Sequence, residues 1–352
     1  MKRFLFLSTL VTLVLSACQT AGPAVAPTQP PAATVAPATK LPEPTPAGPA
    51  VISKVYGVPC AKDCIWKIGG EPNVYRGPGD VVVDRQGNIF VSDSIENTML
   101  KFDPAGKLLA KWGATGSDDG QFQKYMFLAA DKDGNVYVTD TGNFRVQKFD
   151  PNGKFLMKFG SIGMGDDQFM SPRGLAVDEQ GNIYVGGATA NEGIKKFDSS
   201  GKFVARWGKP ANQFNNVFDI TVDQKGNFYV ADFNNFRVVK LDPQGNPLAV
   251  MDSCAGKGEA KQPLEPWNVA VDATGNVHVG DATSGQVCVY SPDGQFQSTW
   301  GKDGTGEVNW RVVSAMAFDP QGNLVTSDGV ACDIGCDAKQ VEPGHIWKLN
   351  KK

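Results

Sequence analysis

The sequence predicts an all-β fold, a six-bladed β-propeller of four-stranded antiparallel blades. Three observations carry that expectation. One turn motif recurs six times at near-constant spacing, each repeat holds room for four short strands, and a strand missing from the last repeat is found near the start of the chain. The turn reads Asp-x-x-Gly-Asn. It begins at Asp84, Asp131, Asp178, Asp223, Asp272 and Asp319, at intervals of 45 to 49 residues.

Short apolar runs flank each turn, such as Val81-Val82-Val83 before it and Ile89-Phe90-Val91 after it. Gly and Asn tolerate positive φ, so each motif closes a hairpin between the first two strands of a blade. A second turn follows, as in Lys101-Phe102-Asp103-Pro104-Ala105-Gly106 and Lys148-Phe149-Asp150-Pro151-Asn152-Gly153, with weaker copies at Lys196, Lys240 and Val289. Pro before Gly beside an Asp is turn chemistry, and it joins strand three to strand four. The fourth strands end in Lys111-Trp112-Gly113, Lys158-Phe159-Gly160, Arg206-Trp207-Gly208 and Thr299-Trp300-Gly301. Four strands in a unit of this length are the signature of a propeller blade.

The last unit stops at its third strand, His345-Ile346-Trp347-Lys348-Leu349. Ile65-Trp66-Lys67-Ile68-Gly69 aligns with the fourth strand Leu156-Met157-Lys158-Phe159-Gly160. The N-terminal segment is therefore expected to complete the sixth blade, which leaves no unpaired sheet edge at the seam.

Pro172-Arg173-Gly174-Leu175-Ala176-Val177-Asp178, Gly181-Asn182-Ile183-Tyr184-Val185, Asn143-Phe144-Arg145-Val146-Gln147-Lys148-Phe149 and Gly201-Lys202-Phe203 together resemble the NHL repeat. The resemblance covers residues 65–350. It implies a six-bladed propeller and no single activity, because a fold is not a function. NHL-like propellers serve as protein-, RNA- or glycan-binding platforms, and a minority are lyases or relatives of lactonases.

Ahead of the repeats lies a basic start, Met1-Lys2-Arg3, and an apolar run from Phe4 to Leu15. That pattern is a secretory signal, too short for a mature spanning helix. Leu15-Ser16-Ala17-Cys18 resembles the lipobox of bacterial lipoproteins, which implies that Cys18 is lipidated and becomes the first mature residue. Residues 21–50 hold nine Pro and nine Ala with almost no charge. Proline lacks the backbone donor, so the segment is expected to be a semi-rigid tether. The expected organisation is thus a lipoprotein signal peptide (1–17), a lipidated cysteine with a Pro/Ala-rich linker (18–50), and the propeller (51–352). The expected location is extracytoplasmic, lipid-anchored to the bacterial cell membrane or envelope.

Six further cysteines are present: Cys60, Cys64, Cys254, Cys288, Cys332 and Cys336. An even number in an exported chain suggests disulfides. Cys60 and Cys64 flank the strand assigned to blade six, and Cys332 and Cys336 lie in a long loop of the same blade. Two bridges stapling the seam are favoured, against local Cys60–Cys64 and Cys332–Cys336 pairs. Cys254 and Cys288 are placed to link blades four and five.

Charge sets the partner class. Lys and Arg number 34 against 37 Asp and Glu, a net charge of −3. No cationic excess exists to neutralise phosphates, so nucleic acid is not an expected partner. No nucleophile elbow, HExxH or phosphate loop occurs. Counting five residues back from each anchoring Asp places Gly79, Met126, Arg173, Phe218, Trp267 and Ser314 around the channel mouth, with Trp310 nearby and Arg145 and Arg237 in the strand 2–3 loops. Aromatic and Arg residues make up recognition surfaces. Arg145 and Arg237 have a second reading, as structural partners of Asp140 and Asp232 in their own repeats.

One residue further in stand Asp80, Phe127, Gly174, Asp219, Asn268 and Ala315. Asp80, Asp219 and Asn268 offer hard oxygen donors suited to Ca²⁺ or Mg²⁺. They weakly resemble, by position only, the acidic and amide metal site of gluconolactonase-like propellers; turn-capping or hydration of the channel is the other reading. No cofactor is otherwise expected. His278 takes the slot of Tyr137, Tyr184 and Tyr229 and reads as a packing residue. The function these features favour is recognition of a cell-envelope protein, peptide or glycan by a monomer. The alternative is a divalent-metal lyase or lactonase-like enzyme working at the channel mouth.

Overall fold

The computed structural model describes residues 64–69, 77–189, 192–208, 214–255, 263–301, 313–328 and 345–350. They form six antiparallel sheets of four strands each. In the first five blades the strands follow chain order from the inside outward. The inner strands are Pro78–Val83, Met126–Ala130, Pro172–Val177, Val217–Val222, Pro266–Val271 and, in blade six, Ala315–Phe318. Each inner strand contacts the next around the ring, and Pro78–Val83 contacts Ala315–Phe318 to close it.

Blade six is completed from the far end of the chain, as the repeat alignment requires. Cys64–Gly69 pairs antiparallel with His345–Leu349, in a register that sets Ile68 opposite Ile346 and Gly69 opposite His345. The core under the seam joins both sides. Val81, Ile89, Val91, Leu100 and Phe102 of blade one pack with Ala315, Val325 and Ile346 of blade six, and Ile68 packs against the group.

The recurring turn is held by its own Asp. Asp84 Oδ1 accepts the N–H groups of Gln86 (2.9 Å) and Asn88 (2.8 Å), and Oδ2 accepts the Asn88 side-chain amide (2.8 Å). The same set recurs at Asp131, Asp178, Asp223, Asp272 and Asp319. The second turn has a different purpose. A Cβ on Gly153 would lie 2.6 Å from the Trp112 ring, one on Gly201 2.8 Å from Phe159, and one on Gly245 2.6 Å from Trp207. The aromatic ending each outer strand therefore lies flat on the turn glycine of the following blade, which explains why the two motifs travel together.

Cys254 and Cys288 form a disulfide with a Cα–Cα distance of 5.5 Å, joining the end of blade four to the third strand of blade five. Cys64 is disulfide-bonded, to a partner outside the described residues. Cys18, Cys60, Cys332, Cys336 and Trp310 also lie outside the described residues, together with the signal and tether segments.

The Trp–Gly contact gives a direct test. Gly153 has φ +84° and no room for a Cβ, so Gly153→Ala should lower the unfolding free energy by about 1–3 kcal/mol. Urea titration followed by circular dichroism measures it. An unchanged midpoint would mean that the blades do not lock through this contact.

Candidate functional site

The mouth of the channel is built by irregularities in the inner strands. In blade four Val217 pairs with Asp232 and Asp219 with Ala231, so Phe218 is one residue too many for the ladder. In blade five Pro266 pairs with Asp281 and Asn268 with Gly280, which expels Trp267 in the same way. Blade three sets both Arg173 and Gly174 against Gly186, and blade one sets Gly79 and Asp80 against Ser92. A bulge bends its strand and re-aims a side chain. Three of the four bulged strands begin with Pro, at Pro78, Pro172 and Pro266. Proline cannot donate to a ladder and is confined to strand starts and bulges.

Blade two has no bulge. Met126 pairs with Asp140 and Phe127 with Thr139 in unbroken register. Met126 is consequently 2% exposed in the core between blades one and two, and not on the mouth where counting back from Asp131 put it. Phe127 takes the channel instead, and its ring meets Phe218 edge-on at 5.5 Å.

Four rings and a guanidinium gather there. Phe218 lies 4.2 Å from Trp267 and 5.7 Å from Phe233, and Phe233 meets Trp267 at 5.9 Å. The Arg173 guanidinium carbon sits 4.9 Å over the Phe218 ring, and Nη1 donates to Asn216 Oδ1 at 3.1 Å. Asn216 holds a left-handed backbone, φ +64°, uncommon outside glycine. Each aromatic contact contributes on the order of 0.5–1.5 kcal/mol beyond simple burial, so the cluster is rigid. Phe233 was not anticipated. It stands directly after Asp232, where blade two has Thr141; a large apolar residue in that loop slot was the available signal.

Arg145 and Arg237 are committed within their own blades. Arg145 Nε donates to Asp140 Oδ2 at 2.8 Å, and its remaining nitrogens donate to the carbonyls of Ser117, Asp118 and Gln121. Arg237 Nε donates to Asp232 Oδ2 at 2.8 Å, with its side chain 26% exposed. Both hold loops in place beside the mouth.

The polar residues one step deeper strap blades together. Asp80 Oδ1 accepts Val81 N–H (2.8 Å) and Oδ2 accepts Leu128 N–H of blade two (2.7 Å). Asp219 repeats this with Ile220 (2.8 Å) and Val269 of blade five (2.9 Å). Asn268 Nδ2 donates to the Val313 carbonyl at 2.6 Å, next to blade six. Burial pushes the Asp80 carboxyl well above the usual carboxylate range, and the facing Asp219 charge adds to it. Burial likewise pushes Asp219 up to about 6, against the backbone N–H groups that favour its charge. Among the described residues, no group of three or more His, Cys, Asp and Glu could hold a metal ion. His278 packs against Phe318 at 4.9 Å and faces Asp272 at 3.3 Å, away from these groups.

The raised carboxyls fix a sign. A carboxyl whose folded pKa exceeds its ordinary 3.8 favours the folded state while protonated. That contribution is full below about pH 4 and is lost as pH rises through about 6. The thermal midpoint of Asp219→Asn should therefore fall less steeply than that of the wild type between pH 4 and pH 7. Parallel slopes would show that Asp219 ionises as an ordinary exposed group.

A family profile described as the NHL repeat matches residues 127–149 and 214–241, and one described as a beta-propeller repeat matches residues 167–195. Peptidylglycine alpha-amidating monooxygenase of Rattus norvegicus is 33% identical over 92 residues, 25% of this chain and 9% of that protein. The Mus musculus protein is 32% identical over the same length. The match thus spans about a tenth of those relatives. Among solved structures, virginiamycin B lyase from Staphylococcus aureus superposes with a TM-score of 0.56 at 13% identity, over 82% of this chain and 99% of that one. The RRP9 WD40 repeats give 0.54 at 14%, over 83% and 99%. A chain of a nidogen/laminin complex gives 0.50 at 15%, over 64% and 80%. At these identities the superpositions establish shape. Repeat matches, blade count and ring closure together make this chain a six-bladed β-propeller carrying NHL repeats.

Proposed function

We propose that the protein is an extracytoplasmic recognition module, anchored to the bacterial envelope through lipidated Cys18 and binding a protein, peptide or glycan partner at the channel mouth. One observation carries this. Three consecutive blades use β-bulges to place Arg173, Phe218 and Trp267 in one contact group at the mouth, joined by Phe127 and Phe233. Rigid aromatic and Arg anchors supply most of the energy at recognition surfaces. A bulge costs ladder hydrogen bonds, and three neighbouring ones serve a common purpose if they build a contact surface. The nidogen/laminin complex provides support by likeness, since a chain of similar shape occurs there in a protein complex.

A metal-dependent lyase or lactonase is the competing reading. It rests on the Asp80 and Asp219 carboxyls and on Asn268. All four carboxylate oxygens already accept a backbone N–H, which suits a strap better than an ion site.

Photo-crosslinking in intact envelopes, from a probe placed at Tyr125 beside the mouth, tests the proposal. A discrete adduct is expected in the wild type and at least tenfold less of it in Trp267→Ala, while Cys18→Ser should move the protein to the soluble fraction. Equal adduct from both proteins, or a stoichiometric divalent ion on elemental analysis, would contradict the recognition reading.

A further inference from the structure

The mouth also carries information about the charge of what it binds, and this inference rests on the recognition reading above. Asp80, Asp219 and Asn268 occupy equivalent places in blades one, four and five, each paired across or beside its bulge with the second strand. Phe218 and Trp267 immediately precede Asp219 and Asn268, so the aromatic and polar levels adjoin. What the polar level offers is acceptors. Each carboxylate oxygen takes one backbone N–H and has a lone pair to spare. Asn268 is 3% exposed, and its Nδ2 must face the Val313 carbonyl 2.6 Å away, which fixes the orientation of the amide. Its Oδ1 is then a buried acceptor with no hydrogen-bond donor.

A buried acceptor left unmatched costs on the order of 1–3 kcal/mol. No cationic side chain figures among the influences on either carboxyl, which are burial, backbone N–H groups and, for Asp80, the other carboxylate. Inner-ring neighbours at the same level add no donor side chain, being Phe127, Gly174 and Ala315. The missing component is a cation with N–H donors.

The rings above point the same way. An aromatic face attracts an ammonium or guanidinium within about 6 Å of its centre. Phe218 already does so with Arg173, while Trp267, Phe127 and Phe233 carry no such cation among the described contacts.

We propose that the channel mouth binds a primary alkylammonium group, the lysine side chain of a partner protein, with Trp267, Phe127, Phe218 and Phe233 around its methylenes and Asp80, Asp219 and Asn268 Oδ1 accepting from the ammonium. The four-carbon stem suits the apolar level, and three N–H donors match the three acceptors.

Calorimetry on the full-length protein at pH 7 tests it with the peptide acetyl-Gly-Lys-Gly-amide, against an otherwise identical peptide with norleucine in place of lysine. The lysine peptide should bind at least tenfold more tightly. Asp80→Asn/Asp219→Asn should abolish that preference, with circular dichroism confirming the fold. If this double variant fails to fold, Phe127→Leu and Trp267→Leu, whose rings face the mouth, should each weaken the lysine peptide at least threefold. Equal binding of the two peptides would overturn the ammonium assignment while leaving the mouth a recognition site. Calcium or magnesium binding in place of the lysine peptide would overturn it in favour of a metal site. No binding of either peptide also overturns it, and the crosslinking adduct then reports on the recognition reading separately.

Discussion

Closure of the ring is the constraint on which the rest depends. A propeller of open sheets would expose an inner strand edge and an apolar blade face at each end of the array. Here strand Cys64–Gly69 pairs with His345–Leu349, and the chain's two ends share one sheet. With the seam closed, blade one has a neighbour on both sides. The apolar group that includes Val81, Phe102 and Ile346 can then exist as a core and not as a surface.

Closure also fixes the geometry of the channel. Six inner strands face one another, and what each side chain meets is decided by the register of its own blade. The inter-blade straps are short and local: Ser92 Oγ to the Met126 carbonyl, Thr141 Oγ1 to the Pro172 carbonyl, Asp80 to Leu128, Asp219 to Val269. They hold adjacent inner strands at fixed separation. Against that rigid frame four bulges displace single residues, and the displaced residues of blades three to five form the mouth. Gly174 matters for the same reason. A Cβ there would meet the Asp219 backbone at 2.9 Å, so glycine lets blades three and four approach closely enough for Arg173 to reach Phe218.

The fold was legible because its determinants are periodic. Asp-x-x-Gly-Asn recurs, and each copy makes the same hydrogen bonds, so spacing alone counted the blades. The seam was legible for the same reason, as a phase shift in the repeat. The disulfide between Cys254 and Cys288 followed from their placement on neighbouring blades. The site was only half legible. Trp267, Phe218 and Arg173 were found by their offset from the anchoring Asp, but the offset assumes equal strand geometry in every blade. Blade two lacks the bulge and sends Met126 inward. The Pro that opens three bulged strands carried that distinction and was missed, because proline there was read as part of a repeat motif and not as a ladder break. Phe233 was missed because it lies in a loop whose side-chain direction depends on contacts between blades. Arg145 shows the converse: its exposure to a ligand is decided by three carbonyls of a loop more than twenty residues earlier.

Amide hydrogen exchange on the intact protein tests ring closure most directly. The amides of Cys64–Gly69 and His345–Leu349 should be protected to the same degree as those of Val136–Asp140, an interior strand of blade two. Exchange of the Cys64–Gly69 amides at the rate of an exposed peptide would mean that the ring is open, and the shared core and the mouth that depends on it would have to be abandoned.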